Sequence, residues 1–134
     1  TDIVLLDGGL NDAHVNVELG ELTDSLDSSS FVRTTFTGGM EYILTTIFYQ
    51  IPKIKILYIV PPKGVAGSEP YMNRGVEVCK KWGVPVLNLR EDGNTTFLGF
   101  NQQSSIFCEQ TTMHPNELWY RRTINAVVSK LRTI

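Results

Sequence analysis

Two apolar runs of strand length do most to limit what this chain can fold into. Ile3, Val4, Leu5 and Leu6 stop at Asp7-Gly8-Gly9, and Ile54, Ile56, Leu57, Tyr58, Ile59 and Val60 stop at Pro61-Pro62-Lys63-Gly64. An apolar run bounded by turn residues is the pattern of a strand buried on both faces, and a proline pair cannot continue a central strand. Between the runs, over Thr37 to Gln50, the positions Met40, Ile43, Leu44, Ile47 and Phe48 recur at helical spacing until Pro52 interrupts them. That spacing predicts a helix with one core-facing stripe. A strand, a helix and a second strand of this kind make a crossover unit, because parallel strands need long connections and a helix is the compact way to build one.

The rest of the chain repeats the alternation. Ser68-Glu69-Pro70 reads as a helix entry, and Tyr71, Val76, Val78, Cys79 and Trp82 form a stripe up to Gly83. Pro85, Val86, Leu87, Asn88 and Leu89 make a short third strand. A polar connection then leads to His114-Pro115-Asn116 and a last helix from about Asn116 to Arg132, with Leu118, Ile124, Val127, Val128 and Leu131 near helical spacing. Val15 to Val32 lacks a clean period and reads as a long loop with room for a helical turn. The order predicts a three-layer α/β fold with a parallel sheet. Three strands are few for such a sheet, and the chain enters a buried-strand pattern directly from Thr1, so the expectation is that its first strands lie in preceding sequence.

Composition narrows the partners. At 134 residues and 42% hydrophobic content the chain supports one core, read as a single domain over residues 1–134. Fourteen acidic and twelve basic residues give a formal charge of −2, without the basic field that gathers nucleic acid. No stretch approaches the ~20 apolar residues of a membrane span. Cys79 and Cys108 stand far apart and outside any metal spacing, so they read as core residues.

The chemistry concentrates in GGLNDAH, residues 8–14, and in His114-Pro115-Asn116. In open α/β sheets ligands bind beyond the carboxyl ends of the strands, where Gly8, Gly9, Asn11, Asp12 and His14 would sit. Glycine lets backbone N–H groups approach a ligand, and an Asn amide can donate to an oxygen that turns negative during acyl transfer. The alternative is a tight turn with Asp12 as a cap for the next segment. A His on a fixed backbone before a helix suits a general base, although a cap or surface residue is the commoner occupant.

GGLND after a strand and HPNELWYRR before the last helix, joined by TFTGGMEYILTTIFYQIPKIKILYIVPP, resemble the SGNH (GDSL-type) hydrolase family over most of the chain. The resemblance implies a flavodoxin-like fold and a serine esterase or acylhydrolase acting on a small-molecule or carbohydrate ester, with no cofactor or metal. It implies Gly9 and Asn11 as oxyanion donors and His114 as base, and leaves His14 an ordinary loop residue. The family's nucleophile lies in a Gly-Asp-Ser block, which this chain lacks. The resemblance therefore implies an N-terminal segment of the same protein as the carrier of the nucleophile. Three residues before His114, where the family commonly has Asp, stands Thr111, whose hydroxyl can hold an imidazole tautomer by a hydrogen bond but cannot stabilise an imidazolium by charge; Glu109 or a backbone carbonyl are the alternatives for orienting the ring. Ser28-Ser29-Ser30 offers hydroxyls but no nucleophile turn. Two rival functions remain at this level. One is a non-catalytic SGNH-like domain that binds carbohydrate or protein. The other is a receiver-like module using Asp7 and Asp12 for a divalent ion or phosphate.

Overall fold

The computed structural model describes residues 3–62, 66–91, 102–109 and 114–134. Its elements run β1 (Ile3–Leu6), α1 (Leu10–His14), a 3-10 turn (Ser28–Ser30), α2 (Phe36–Gln50), β2 (Lys55–Val60), α3 (Glu69–Lys81), β3 (Val86–Asn88), α4 (Ser104–Phe107) and α5 (Glu117–Leu131). The strands form one parallel sheet in the order β1-β2-β3, in register Leu5 with Leu57 and Ile59 with Leu87. This is the mixed α/β arrangement with a parallel sheet that the alternation of runs predicts, and it is consistent with the flavodoxin-like fold that the resemblance implies.

Helices cover both faces of the sheet. On one, α2 and α3 pack Leu44, Met72 and Val78 against Ile56, Tyr58 and Val60. On the other, Phe107 of α4 and Trp119 of α5 close over Leu57, Leu87 and Leu89. Each such side chain is worth about 1.5–3 kcal/mol relative to leaving it in water. Cys79 and Cys108 are both buried and neither is in a disulfide, as the sequence predicts for core residues, and burial pushes the Cys79 thiol up to about 12.

Several sequence expectations are corrected. β1 is an edge strand with Ile3 and Leu5 exposed, not a strand covered on both faces, because β2 is its only hydrogen-bonded neighbour among the described residues. The buried face of α3 carries Met72 and Gly75 beside Val78 and Cys79. Gly75 is there because a Cβ would lie 2.3 Å from the Tyr58 hydroxyl. In α5 the buried positions are Trp119 and Thr123, while Leu118, Ile124 and Val128 are exposed. The last helix begins within a residue of its expected start, with Asn116 as its N-cap and Asn116 Oδ1 accepting from the Trp119 N–H at 3.2 Å. In α2, Ile43 is exposed and Glu41 buried, where its carboxylate pairs with Lys81 and accepts from Trp82 Nε1 at 3.1 Å.

That buried pair also ties down the long loop. Lys81 Nζ donates to the carbonyls of Thr23 and Ser25 at 2.7 and 2.6 Å, and Arg74 donates to Gly20 O and, at 2.9 Å, to Thr37 Oγ1. Phe36 and Thr37 N–H groups donate to Glu18 O and Leu19 O at 2.9 and 3.0 Å. A segment without apolar period is thus fixed by backbone carbonyls that α2 and α3 satisfy, which leaves the neighbouring turn after β1 on a firm base.

Candidate active site

The turn after β1 is shaped by two glycines and held from beneath. Gly9 adopts φ +96°, and a Cβ on it would lie 3.2 Å from Tyr71 Cβ and 3.3 Å from Met72 Cε. Only glycine meets both conditions without strain. The buried Tyr58 hydroxyl donates to Gly8 O at 3.1 Å, so β2 pins the turn that β1 feeds. Burial raises the Tyr58 pKa well above the ordinary tyrosine value, with Cys79, Asp7 and Asp12 adding to the rise, so the hydroxyl stays a donor. Tyr71 packs its ring edge-on against Phe36 at 5.5 Å between centroids and donates its hydroxyl to Val17 O, closing the far end of α1.

GGLNDAH is therefore not a loop throughout, because Leu10–His14 wind into a short helix. The Gly9 N–H donates to Asp12 Oδ2 at 3.2 Å, while Gly9 O accepts from the Ala13 N–H at 3.0 Å. Asp12 thus lies inside α1 and turns its carboxylate back on the N-cap Gly9, where the turn reading expects it to cap the segment that follows. It also occupies the Gly9 N–H, which leaves that group engaged within the chain rather than open to a ligand. Asn11 differs. It is exposed on α1, and its side-chain amide makes no hydrogen bond among the described residues. His14 is exposed in the last turn of α1. An open cavity of about 260 Å³ lies beside this turn, with Asp7, Gly8 and Asp12 on its rim and Leu6, Phe36 and Met40 in its wall.

The second group lies just before α5. Cys108 and Pro115 form an antiparallel bridge, with Glu109 N–H donating to His114 O and Asn116 N–H to Phe107 O, both at 2.8 Å. Asn116 Nδ2 adds a bond to Ile106 O at 2.7 Å. In this register Glu109 stands directly opposite His114, and residues so paired carry their side chains on one face with Cβ atoms about 5 Å apart. Both are exposed. Thr111 lies outside the described residues.

Both groups belong to one end of the sheet. Lys55, the first residue of β2, donates from Nζ to Ile134 O at 2.7 Å, so the chain leaves α5 at the amino end of the strands. A 15-residue helix is roughly 22 Å long, comparable to the six-residue β2 at ~20 Å. α5 therefore begins, with His114 just ahead of it, at the carboxyl end where Gly8 to Asn11 also lie.

Among the described residues no group of three or more His, Cys, Asp or Glu side chains is arranged to hold a metal ion. Asp12 is committed to Gly9. In the 3-10 turn the Ser30 hydroxyl donates to Ser25 Oγ at 2.9 Å and to Asp27 O at 2.7 Å, a local knot of turn bonds. Among the described residues no helix is long and apolar enough to cross a membrane.

No protein-family model matches the chain, and neither does any curated protein. Solved structures do. A protein from Lactobacillus plantarum superposes with a TM-score of 0.78 at 25% identity, covering 98% of this chain and 67% of its own. A candidate GDSL-like lipase from Bacteroides ovatus gives 0.69 at 15% identity, covering 99% of this chain and 55% of its own. Another from Bacteroides uniformis gives 0.69 at 20%, covering 99% and 53%. The likeness to the two Bacteroides proteins shows a GDSL-like fold. The chain spans only about half to two thirds of the length of these structures.

Gly9→Ala, at the left-handed position of this turn, is expected to destabilise the chain by about 1–3 kcal/mol, the usual cost of forcing a Cβ into such backbone. Urea unfolding measures it, and an unchanged midpoint would mean that the turn does not have this shape.

Proposed function

We propose that residues 1–134 are the part of a single SGNH-type serine esterase or acylhydrolase domain that comes after its nucleophile. Asn11 donates to the developing oxyanion. His114 takes the proton from a serine carried by the preceding segment of the same protein, and Glu109, rather than Thr111, orients the imidazole. Gly9 gives the turn its shape, and serves as a second donor only if Asp12 releases its N–H. The substrate is an ester of small-molecule or carbohydrate type.

What supports this reading best is that the turn after β1 and the start of α5 lie toward the same end of a GDSL-like sheet, the one with an exposed Asn11 amide and the other with an exposed His114 opposite Glu109. Each has a chemical counterpart in acyl transfer. Attack of the serine oxygen on the ester carbonyl forms an alkoxide that needs a donor, and the proton released needs a base held in one tautomer. The base then protonates the leaving alcohol, and water repeats the sequence on the acyl-enzyme.

The test is hydrolysis of short-chain aryl and sugar acetates by the protein that includes the residues before Thr1. The expected result is a burst of alcohol equal to the enzyme concentration, or steady turnover where deacylation is fast. A folded protein that binds acetylated sugars without cleaving them would replace this reading with the non-catalytic binding domain.

A further inference from the structure

The outer side of α2 carries two tyrosines over a second cavity. Phe36, Met40 and Leu44 mark the side of the helix that meets the core. At about 3.6 residues per turn, Tyr42, Thr45, Thr46 and Tyr49 fall within one arc on the opposite side, turned away from the sheet. Tyr42 and Tyr49 are two helical turns apart, an interval of about 10 Å along that arc. With Gln50, and with Leu26 and Ser28 from the neighbouring loop, they line an open cavity of about 470 Å³. Sites for small ligands span roughly 300–1,000 Å³. The walls are held in place. Lys81 Nζ donates to Ser25 O at 2.6 Å and the Ser29 N–H to Asp27 Oδ1 at 2.9 Å, which fixes the loop. The Arg33 guanidinium stacks on the Tyr42 ring, 3.8 Å from its centroid. The Thr45 and Thr46 hydroxyls donate to Glu41 O and Tyr42 O at 2.9 and 2.7 Å, so their hydrogens are committed and their oxygens remain acceptors. Tyr49 is 88% exposed.

We propose that this cavity binds an uncharged, extended β-linked sugar chain. None of the described side chains that line it is charged, which gives a metal ion, a phosphate or an acidic polymer no counter-charge. Leu26 is its one aliphatic side chain, too little apolar surface for a lipid tail or the apolar face of a helix. Sugar rings present both of the surfaces this lining answers. Their C–H faces meet the negative face of an aromatic ring, and their hydroxyl edges find acceptors and an amide between the two tyrosines. The interval between Tyr42 and Tyr49 is close to the repeat of two rings in an extended β-linked chain. No lining residue belongs to the candidate active site, so the proposal stands without the esterase reading. If that reading holds, the consequence is a preference for polymeric esters, because Arg33, stacked on Tyr42, also lines the cavity beside the turn after β1.

Isothermal titration with cellohexaose, xylohexaose and mannohexaose tests this, on the protein that includes the residues before Thr1. At least one hexaose is expected to bind with a millimolar or lower Kd, and glucose is not. Tyr49→Ala should weaken that binding by about three- to ten-fold, the size of a lost ring contact, whereas Tyr49→Phe keeps the ring and the affinity. Both variants should unfold at the parent Tm. Silence with every hexaose, or an affinity that Tyr49→Ala leaves unchanged, overturns the proposal. A dimer that Tyr49→Ala dissolves, seen by light scattering, makes this face an interface between copies and overturns it too. Turnover of a short aryl acetate by the same sample, which Tyr49→Ala should not alter, separates the two readings. Sugar binding without turnover keeps this site and sinks the esterase, and turnover without sugar binding does the reverse.

Discussion

His114→Ala, made in the protein that carries its nucleophile, is expected to lower ester turnover by about 10⁶-fold while KM stays nearly unchanged. The size reflects the base's double duty. Without it the serine remains a protonated, weak nucleophile and the leaving alcohol has no proton donor, so both halves of acyl transfer slow together. The substitution should leave stability close to wild type. His114 is exposed, and its backbone is fixed by the Glu109 bond and the Cys108–Pro115 bridge, neither of which uses the imidazole. Steady-state kinetics with thermal unfolding separates the cases, and a loss under ten-fold with the fold intact would remove His114 from the mechanism.

Asn11→Ala should cost less, about 10² to 10³-fold in kcat, the usual effect of removing one oxyanion donor. It too should be nearly silent in stability, because the side chain is exposed and makes no hydrogen bond among the described residues. The loss should fall on kcat and not on KM, since the donor meets charge that exists only in the transition state. A pure KM effect would assign Asn11 to ground-state binding.

The sequence reveals the strand–helix alternation because its cause is local. Apolar runs closed by Gly-Gly or Pro-Pro, and a helical period between them, reflect backbone preferences that tertiary context did not override. Positions whose burial depends on a partner are another matter. Leu5, Ile124 and Val128 carry the pattern of core residues and are exposed, whereas Glu41 carries the pattern of a surface residue and is buried against Lys81 and Trp82. Periodicity counts apolar side chains and does not see an ion pair formed between residues forty positions apart. The site divides in the same way. The glycine turn and the His before α5 are visible as motifs. The occupation of the Gly9 N–H by Asp12 depends on one φ value, and the pairing of Glu109 with His114 depends on a two-residue bridge within a segment that reads only as polar loop. Tyr58 is the residue that sequence reading missed most clearly. Within an apolar strand it looks like core, and only its hydroxyl on Gly8 O shows that it also holds the turn.

Fluorophosphonate labelling followed by intact-mass spectrometry tests the central claim, that Asn11 and His114 serve a serine lying before Thr1. In the reaction a serine oxygen bonds to phosphorus and fluoride leaves, which requires a base and an oxyanion hole to act on the same hydroxyl. The account predicts one phosphonyl group on the protein with its preceding residues, mapped upstream of Thr1, and none on residues 1–134 alone. An adduct on the shorter chain, at Ser30 or Ser68 for example, or no adduct on either form, would contradict it.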